Sequence, residues 1–300
     1  MRVISVMNQK GGCGKTTTAI NLAACLADRG LGVLVVDVDP QAHATLGLNA
    51  AAGGSLRCAI HERLLAPGDL AGLCVPVRPN LDLIPSGDEL LFLDSVLASA
   101  ADGEERLREC VLRTARPFDF IVVDCPPSLG TLTLSALRAC DTILIPVEIG
   151  FFSLNGVGSF LRTIQRHRPS WLREKTIRAV ATMFDRQTSF AREVHEEIRR
   201  FFGEALYSTV IHRNVRLKEA TSYGVPIVDY DRRARGYEDY AALAAEVIRD
   251  LMPDAAGRVL AGRILETPAA GEPVAEEPRP IGASGRTTAA EPPGREPHVA

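Results

Sequence analysis

The chain has 300 residues, 46% hydrophobic and 24% charged, which is enough to bury a sizeable core in one or two folded domains. Its formal charge of −3 excludes a uniformly basic nucleic-acid-binding protein. No apolar run reaches the roughly 18 residues that a membrane-spanning helix needs, and the opening MRVISVMNQKGG carries no leader pattern.

Val3–Met7 is apolar and β-branched, and it runs into Gly11-Gly12-Cys13-Gly14. From Thr17 to Arg29, Ile20, Leu22, Ala23, Ala24 and Leu26 recur at helical spacing, and Gly30 and Gly32 stop the helix. The order is strand, glycine-rich loop, helix. Val33–Val36 is apolar on both faces, as a parallel strand between helical layers must be, and ends in Asp37-Val38-Asp39-Pro40. Residues 48–117 are less regular; they predict helices around Leu56–Leu65 and Leu90–Leu112 and a short strand near Leu81–Ile84. The alternation then resumes. Phe118–Val123 is a strand ending at Asp124, Leu132–Ala139 a helix, Thr142–Val147 a strand, Leu154–His167 a helix and Ile177–Met183 a strand. Phe190–Phe202 is helical, Leu206–Ile211 and Pro226–Val228 are shorter strand candidates, and Tyr237–Leu251 is a final amphipathic helix. The fold class is α/β, a mostly parallel sheet sandwiched by helices. The expected division is a domain over 1–252, a short helical or linker segment over 253–266, and a disordered tail over 267–300. That tail has seven prolines and four glycines in 34 residues and no aromatic, too little to offset its ordering entropy.

The loop carries the chemistry. A regular phosphate loop is G-x-x-x-x-G-K-[ST], and here Gln9 stands where its first glycine belongs. The physics survives in Lys10-Gly11-Gly12-Cys13-Gly14-Lys15-Thr16-Thr17. Glycines let backbone N–H groups close around phosphate oxygens, and the helix that follows presents its N-terminus to the same anion. Lys15 is placed to neutralise β/γ charge, and Thr16 to offer a hydroxyl to Mg²⁺. The chain has 30 arginines and only four lysines, yet two of the four, Lys10 and Lys15, fall in this one loop. These positions call for a compact ammonium rather than a planar guanidinium. None of the seven cysteines forms a C-x-x-C pair, which fits small buried residues in a reducing cytoplasm, and Cys13 reads as a spacer. The six histidines show no metal-ligand spacing.

These motifs together resemble the deviant Walker A branch of P-loop NTPases, the ParA/MinD family, and within it the ParA/Soj partition ATPases. The matching text is Lys10–Thr17, Asp37-Val38-Asp39-Pro40-Gln41, the strand Ile121–Asp124 with Cys125-Pro126-Pro127-Ser128-Leu129-Gly130, and His212-Arg213-Asn214-Val215-Arg216-Leu217 with Tyr223-Gly224-Val225-Pro226. The resemblance covers about residues 1–252. It implies an ATPase with ATP and Mg²⁺ as cofactors. Lys10 would reach across an ATP-dependent homodimer to the partner's phosphates, and Asp39 would orient the attacking water. Thr16 and Asp124 would hold Mg²⁺, Asp124 through water. Met183 is a candidate adenine contact, with core packing the alternative. One departure stands out. Family members often read Pro-Val-Gln-x-Glu, where this chain has Pro146-Val147-Glu148-Ile149-Gly150.

Charge distribution qualifies the first exclusion. Residues 162–235 hold 14 Arg and two Lys against nine acids, a balance of +7, so the remainder carries −10. An acidic protein can therefore present a basic face. Arg213, Arg216, Lys218, Arg232, Arg233 and Arg235 lie in the partition-like stretches, where the resemblance implies nonspecific DNA binding and a ParB-like activator protein. The expected location is then cytoplasmic and nucleoid-associated, the cargo being DNA or another large assembly. The alternative is a MinD-like membrane-cycling ATPase. Its membrane helix would be Ala256–Leu265, which has only Arg258 and Arg263 as cations and no aromatic, so membrane binding is not expected. The loop begins too close to residue 1 for an N-terminal DNA-reading domain.

Overall fold

Strands that are apolar on both sides need cover on both sides, and the computed structural model places helices accordingly. It describes residues 1–49, 53, 56–151 and 153–253. The chain runs β1 (Arg2–Val6), α1 (Lys15–Ala27), β2 (Val33–Asp37), α2 (His43–Gly47), α3 (Ile60–Leu65), β3 (Val75–Arg78), β4 (Leu81–Ile84), α4 (Glu89–Ser99), α5 (Arg106–Arg113) and β5 (Phe120–Asp124). It continues through α6 (Thr131–Ala139), β6 (Thr142–Glu148), α7 (Ser153–His167), α8 (Pro169–Arg173), β7 (Thr176–Phe184), α9 (Ser189–Phe202), β8 (Leu206–His212), α10 (Val215–Ser222), α11 (Ile227–Tyr230) and α12 (Arg235–Leu251).

The eight strands form one sheet in the order β3-β4-β2-β5-β1-β6-β7-β8, parallel except for β3 against β4. Alternate residues of each central strand feed two cores. Ile4, Val6, Val33 and Val35 pack with α1 and α12, while Val3, Met7, Leu34 and Val36 pack with α4–α7. At about 25 cal/mol per Å² of apolar surface, these two layers are the main source of stability. Buried polar contacts fix how α1 meets its neighbours. The Thr18 and Tyr240 hydroxyls are 3.1 Å apart, joining α1 to α12.

Three expectations are corrected. Pro226–Val228 is not a strand. The Ile227 amide donates to Asn21 Oδ1 at 2.8 Å, and Ile227 and Val228 are buried against α1, so the segment turns into α11 instead of pairing with β8. The apolar stretch Leu90–Leu112 divides into α4 and α5. The chain folds back at Gly103, where a Cβ would stand 2.0 Å from the Leu97 carbonyl oxygen. The helix expected from Leu56 begins only at Ile60. The strand β3 was not expected; Pro76 masks it, and an edge position is where a strand tolerates proline. Segments 254–266 and 267–300, including Ala256–Leu265, the candidate membrane helix of the alternative reading, lie outside the described residues. Among the described residues no helix is long and apolar enough to cross a membrane.

Candidate nucleotide-binding site

Central β1 delivers the chain to the C-terminal edge of the sheet, where parallel α/β folds bind ligands. Gly12 (φ 75°) and Gly14 (φ 91°) take left-handed conformations that a side chain would strain, and α1 starts at once at Lys15. Both shoulders of the loop are tied to neighbouring strands. Asn8 Nδ2 donates to the Pro146 carbonyl of β6 at 2.8 Å, and its Oδ1 accepts the Lys10 amide. The Thr182 hydroxyl of β7 donates to the Cys13 carbonyl at 2.8 Å. Lys15 is 7% exposed, and its ammonium donates to the Lys10 carbonyl at 3.1 Å. Gly11 and Gly12 are exposed, Thr16 and Thr17 half-buried. Burial raises the Cys13 thiol pKa, which suits a spacer and not a nucleophile.

Register brings the carboxylates together. Asp37 pairs with Asp124 at the ends of β2 and β5, and Val6 of β1 pairs with Asp124 from the other side. Asp37 is a clasp. Its Oδ2 accepts the Thr45 amide and hydroxyl, each at 2.8 Å, and its Oδ1 accepts the Asp39 amide at 3.1 Å. Burial raises its pKa to about 7 against these bonds. Asp39 is held by what surrounds it: its Oδ1 accepts the Gln41 amide, and the Ser86 hydroxyl donates to its carbonyl at 2.6 Å.

Asp124 differs. It is wholly buried, and among the described residues neither carboxylate oxygen has a partner of hydrogen-bond geometry. Burial first, and the Asp37 charge second, push its pKa well up; the Thr16 hydroxyl and Lys15 ammonium oppose this. A buried carboxylate without partners costs free energy unless a cation meets it. Asp124 beside Thr16 therefore suits Mg²⁺, which uses one or two protein oxygens and fills its shell with water and phosphate. Among the described residues no group of three His, Cys, Asp or Glu side chains could hold a metal ion.

A cavity of about 810 Å³ opens beside the loop, between α1, α2, the end of β7 and α10. Gly14, Thr16, Met183, His212, Arg213 and Lys218 are on its wall. Met183 lies outside both cores and holds φ at 57°, a conformation uncommon for a non-glycine residue. Asn8, Thr45, Thr182 and Ser86 were not read from the sequence, because small polar residues signal nothing until the fold places them.

The basic residues form one neighbourhood with two kinds of member. Arg213, Arg216 and Lys218 follow β8 into α10, and Arg216 reaches Asp231 at 3.7 Å beside Arg232, Arg233 and Arg235. Arg216 also pairs with Glu219 at 2.8 Å, Arg232 with Asp28 at 2.5 Å and Arg235 with Asp239 at 3.1 Å. Exposed Arg213, Lys218 and Arg233 form no ion pair among the described residues.

The sequence pattern of the family described as AAA domain matches residues 1–177. The sporulation initiation inhibitor protein Soj of Bacillus subtilis is 40% identical over 250 residues, covering 82% of this chain and 98% of its own. The chromosome partitioning protein ParA of Caulobacter vibrioides is 38% identical over 252 residues, covering 83% and 94%. Among solved structures, cobyrinic acid a,c-diamide synthase of Mycobacterium smegmatis with ADP and magnesium superposes with a TM-score of 0.71 at 28% identity, covering 84% of this chain and 96% of that one. Identity of this order runs through nearly the full length of partition proteins, and the AAA-domain match over residues 1–177 spans the loop and the aspartate strands described above, so the chain belongs to the ParA/Soj family of chromosome-partitioning ATPases.

Proposed function

We propose that two copies close face to face on ATP and Mg²⁺, that the dimer binds DNA without reading sequence, and that a ParB-like partner speeds hydrolysis and release. The cargo so positioned is a chromosome, a plasmid or another large assembly, and the protein sits on the nucleoid. The orphaned Asp124 carboxylate beside Thr16 and the Gly12–Gly14 loop is the observation that carries the nucleotide part.

In this reading the loop amides and Lys15 bind the phosphates, and Thr16 and Asp124 hold Mg²⁺, Asp124 through water. Mg²⁺ neutralises charge on the β- and γ-phosphates when bound. Asp39 orients the water, and the Asp37 clasp keeps the Asp39 loop in place. Lys10 of each copy serves the other's phosphates. Phosphoryl transfer needs little more than this positioning and charge stabilisation. Met183 and His212, both on the cavity wall, would meet the base in this reading. Arg213, Lys218 and Arg233, without an ion pair among the described residues, supply charge for DNA phosphates, which need no base contacts.

Cosedimentation with plasmid DNA and with anionic liposomes, with ATP, ADP or neither, over a salt series, tests this. ATP-dependent, salt-sensitive pelleting with DNA alone is expected. Pelleting with liposomes but not DNA would replace the reading with a membrane-cycling one.

A further inference from the structure

The ammonium of Lys10 is already engaged within its own chain. Its Nζ lies 2.6 Å from Glu148 Oε2 and donates to the Ser153 hydroxyl at 3.3 Å. Glu148 ends β6 and Ser153 begins α7, so both partners sit on the connection after the neighbouring strand. Gly150 lies beside the pair; a Cβ there would stand 3.6 Å from Nζ. The Lys10 backbone is fixed at both ends, its amide on Asn8 Oδ1 and its carbonyl on the Lys15 ammonium. Only the side chain is free to swing, and it is 37% exposed.

We infer that Glu148 is a positioning residue that parks Lys10 on its own subunit. Closure of two copies exchanges this carboxylate for the partner's triphosphate. The inference rests on the reading that Lys10 crosses the dimer. A pair this exposed to water and salt tunes an equilibrium and does not block it. It sets how much ATP is needed before the lysines transfer. The triphosphate carries more negative charge than the carboxylate it displaces, and ADP offers no γ-phosphate in return. The pair therefore favours ATP over ADP as the trigger of closure.

The test uses the full chain. Without nucleotide, the Lys10 amine is labelled by an amine-reactive reagent and read by mass spectrometry, with Lys218 as the exposed internal reference. Glu148→Gln should label at Lys10 about two- to fivefold faster than the unaltered protein, with Glu148→Asp between them. In the unaltered protein, Lys10 labelling should rise relative to Lys218 as salt goes from about 0.05 to 0.5 M, an arm that needs no variant. The ATP concentration at half-dimerisation, measured by light scattering, should fall about two- to fivefold in Glu148→Gln. Equal labelling across variants and salt overturns the ion pair. Faster labelling with an unchanged ATP threshold overturns its coupling to closure. Absence of ATP-dependent dimers in all forms would overturn the dimer reading while leaving the labelling result to stand.

Discussion

Asp124 and Asp37 are neighbours with opposite circumstances. Asp37 spends both oxygens on Thr45 and Asp39, while Asp124 has a partner on neither. Asp124→Asn keeps the shape of the side chain and removes the anionic oxygen that would meet Mg²⁺, so it should leave the unfolding midpoint without nucleotide within about 2–4 °C, in differential scanning calorimetry, while ending Mg²⁺-dependent turnover. A lowered midpoint with turnover intact would contradict the assignment. Lys15→Ala should abolish hydrolysis, measured as phosphate release; unchanged release would remove the loop from the mechanism. Asp37 also gives a pH dependence. Its folded pKa of about 7 lies above the ordinary 3.8, so the folded chain binds a proton that the unfolded chain has lost. Its contribution is therefore full below about pH 4 and declines as pH rises towards 7. Asp37→Ala should flatten that segment of the urea-unfolding profile, and an unchanged slope would show the clasp is ionised.

Helices and strands were legible where local composition settles them, as in β2 and β5, which are buried at every position, and in α12, whose buried positions follow the spacing of its apolar residues. Local composition failed where a distant residue decides. Nothing near Ile227 announces that Asn21, 206 positions away, accepts its amide. Nothing in Leu90–Leu112 except Gly103 shows the fold-back, and its reason is the Leu97 carbonyl. The Lys10–Thr17 loop, Asp39 and Asp124 were legible because their spacing is local. The Glu148 contact was visible only as a departure, since its partner lies 138 residues away. Two glycines separate packing from propensity. Gly103→Ala should destabilise by about 1–3 kcal/mol, because the methyl meets backbone that cannot yield. Gly156→Ala, inside α7 with nothing within 4 Å of its Cβ, should stabilise by about 0.5–1 kcal/mol. Urea unfolding reads both, and the same sign for the two would refute the distinction.

The net charge of −3 hides a basic sector of +7, and folding sorts that sector further. Arg232 is a staple; it joins Asp28 at the end of α1 and lies over the Tyr237 ring. Arg213 and Lys218 share the cavity wall with the loop, so their loss would confuse nucleotide and DNA effects. Arg216 and Arg233 lie off that wall. Arg233→Glu should leave ATP affinity within about twofold while weakening DNA retention and lowering the salt slope by about 1, whereas Arg216→Glu, at a residue already paired with Glu219, should lower it less. An unchanged slope would move the DNA face elsewhere.

That common wall has a thermodynamic corollary. On the proposed function, nucleotide and DNA would meet at a wall shared by Gly14, Thr16, Arg213 and Lys218, and any coupling between them acts equally in both directions. By whatever factor ATP tightens the hold on DNA, DNA must tighten the hold on ATP in the same molecule. Dense DNA would then act as a reservoir of loaded protein, and a copy that strays from it would sooner be found empty.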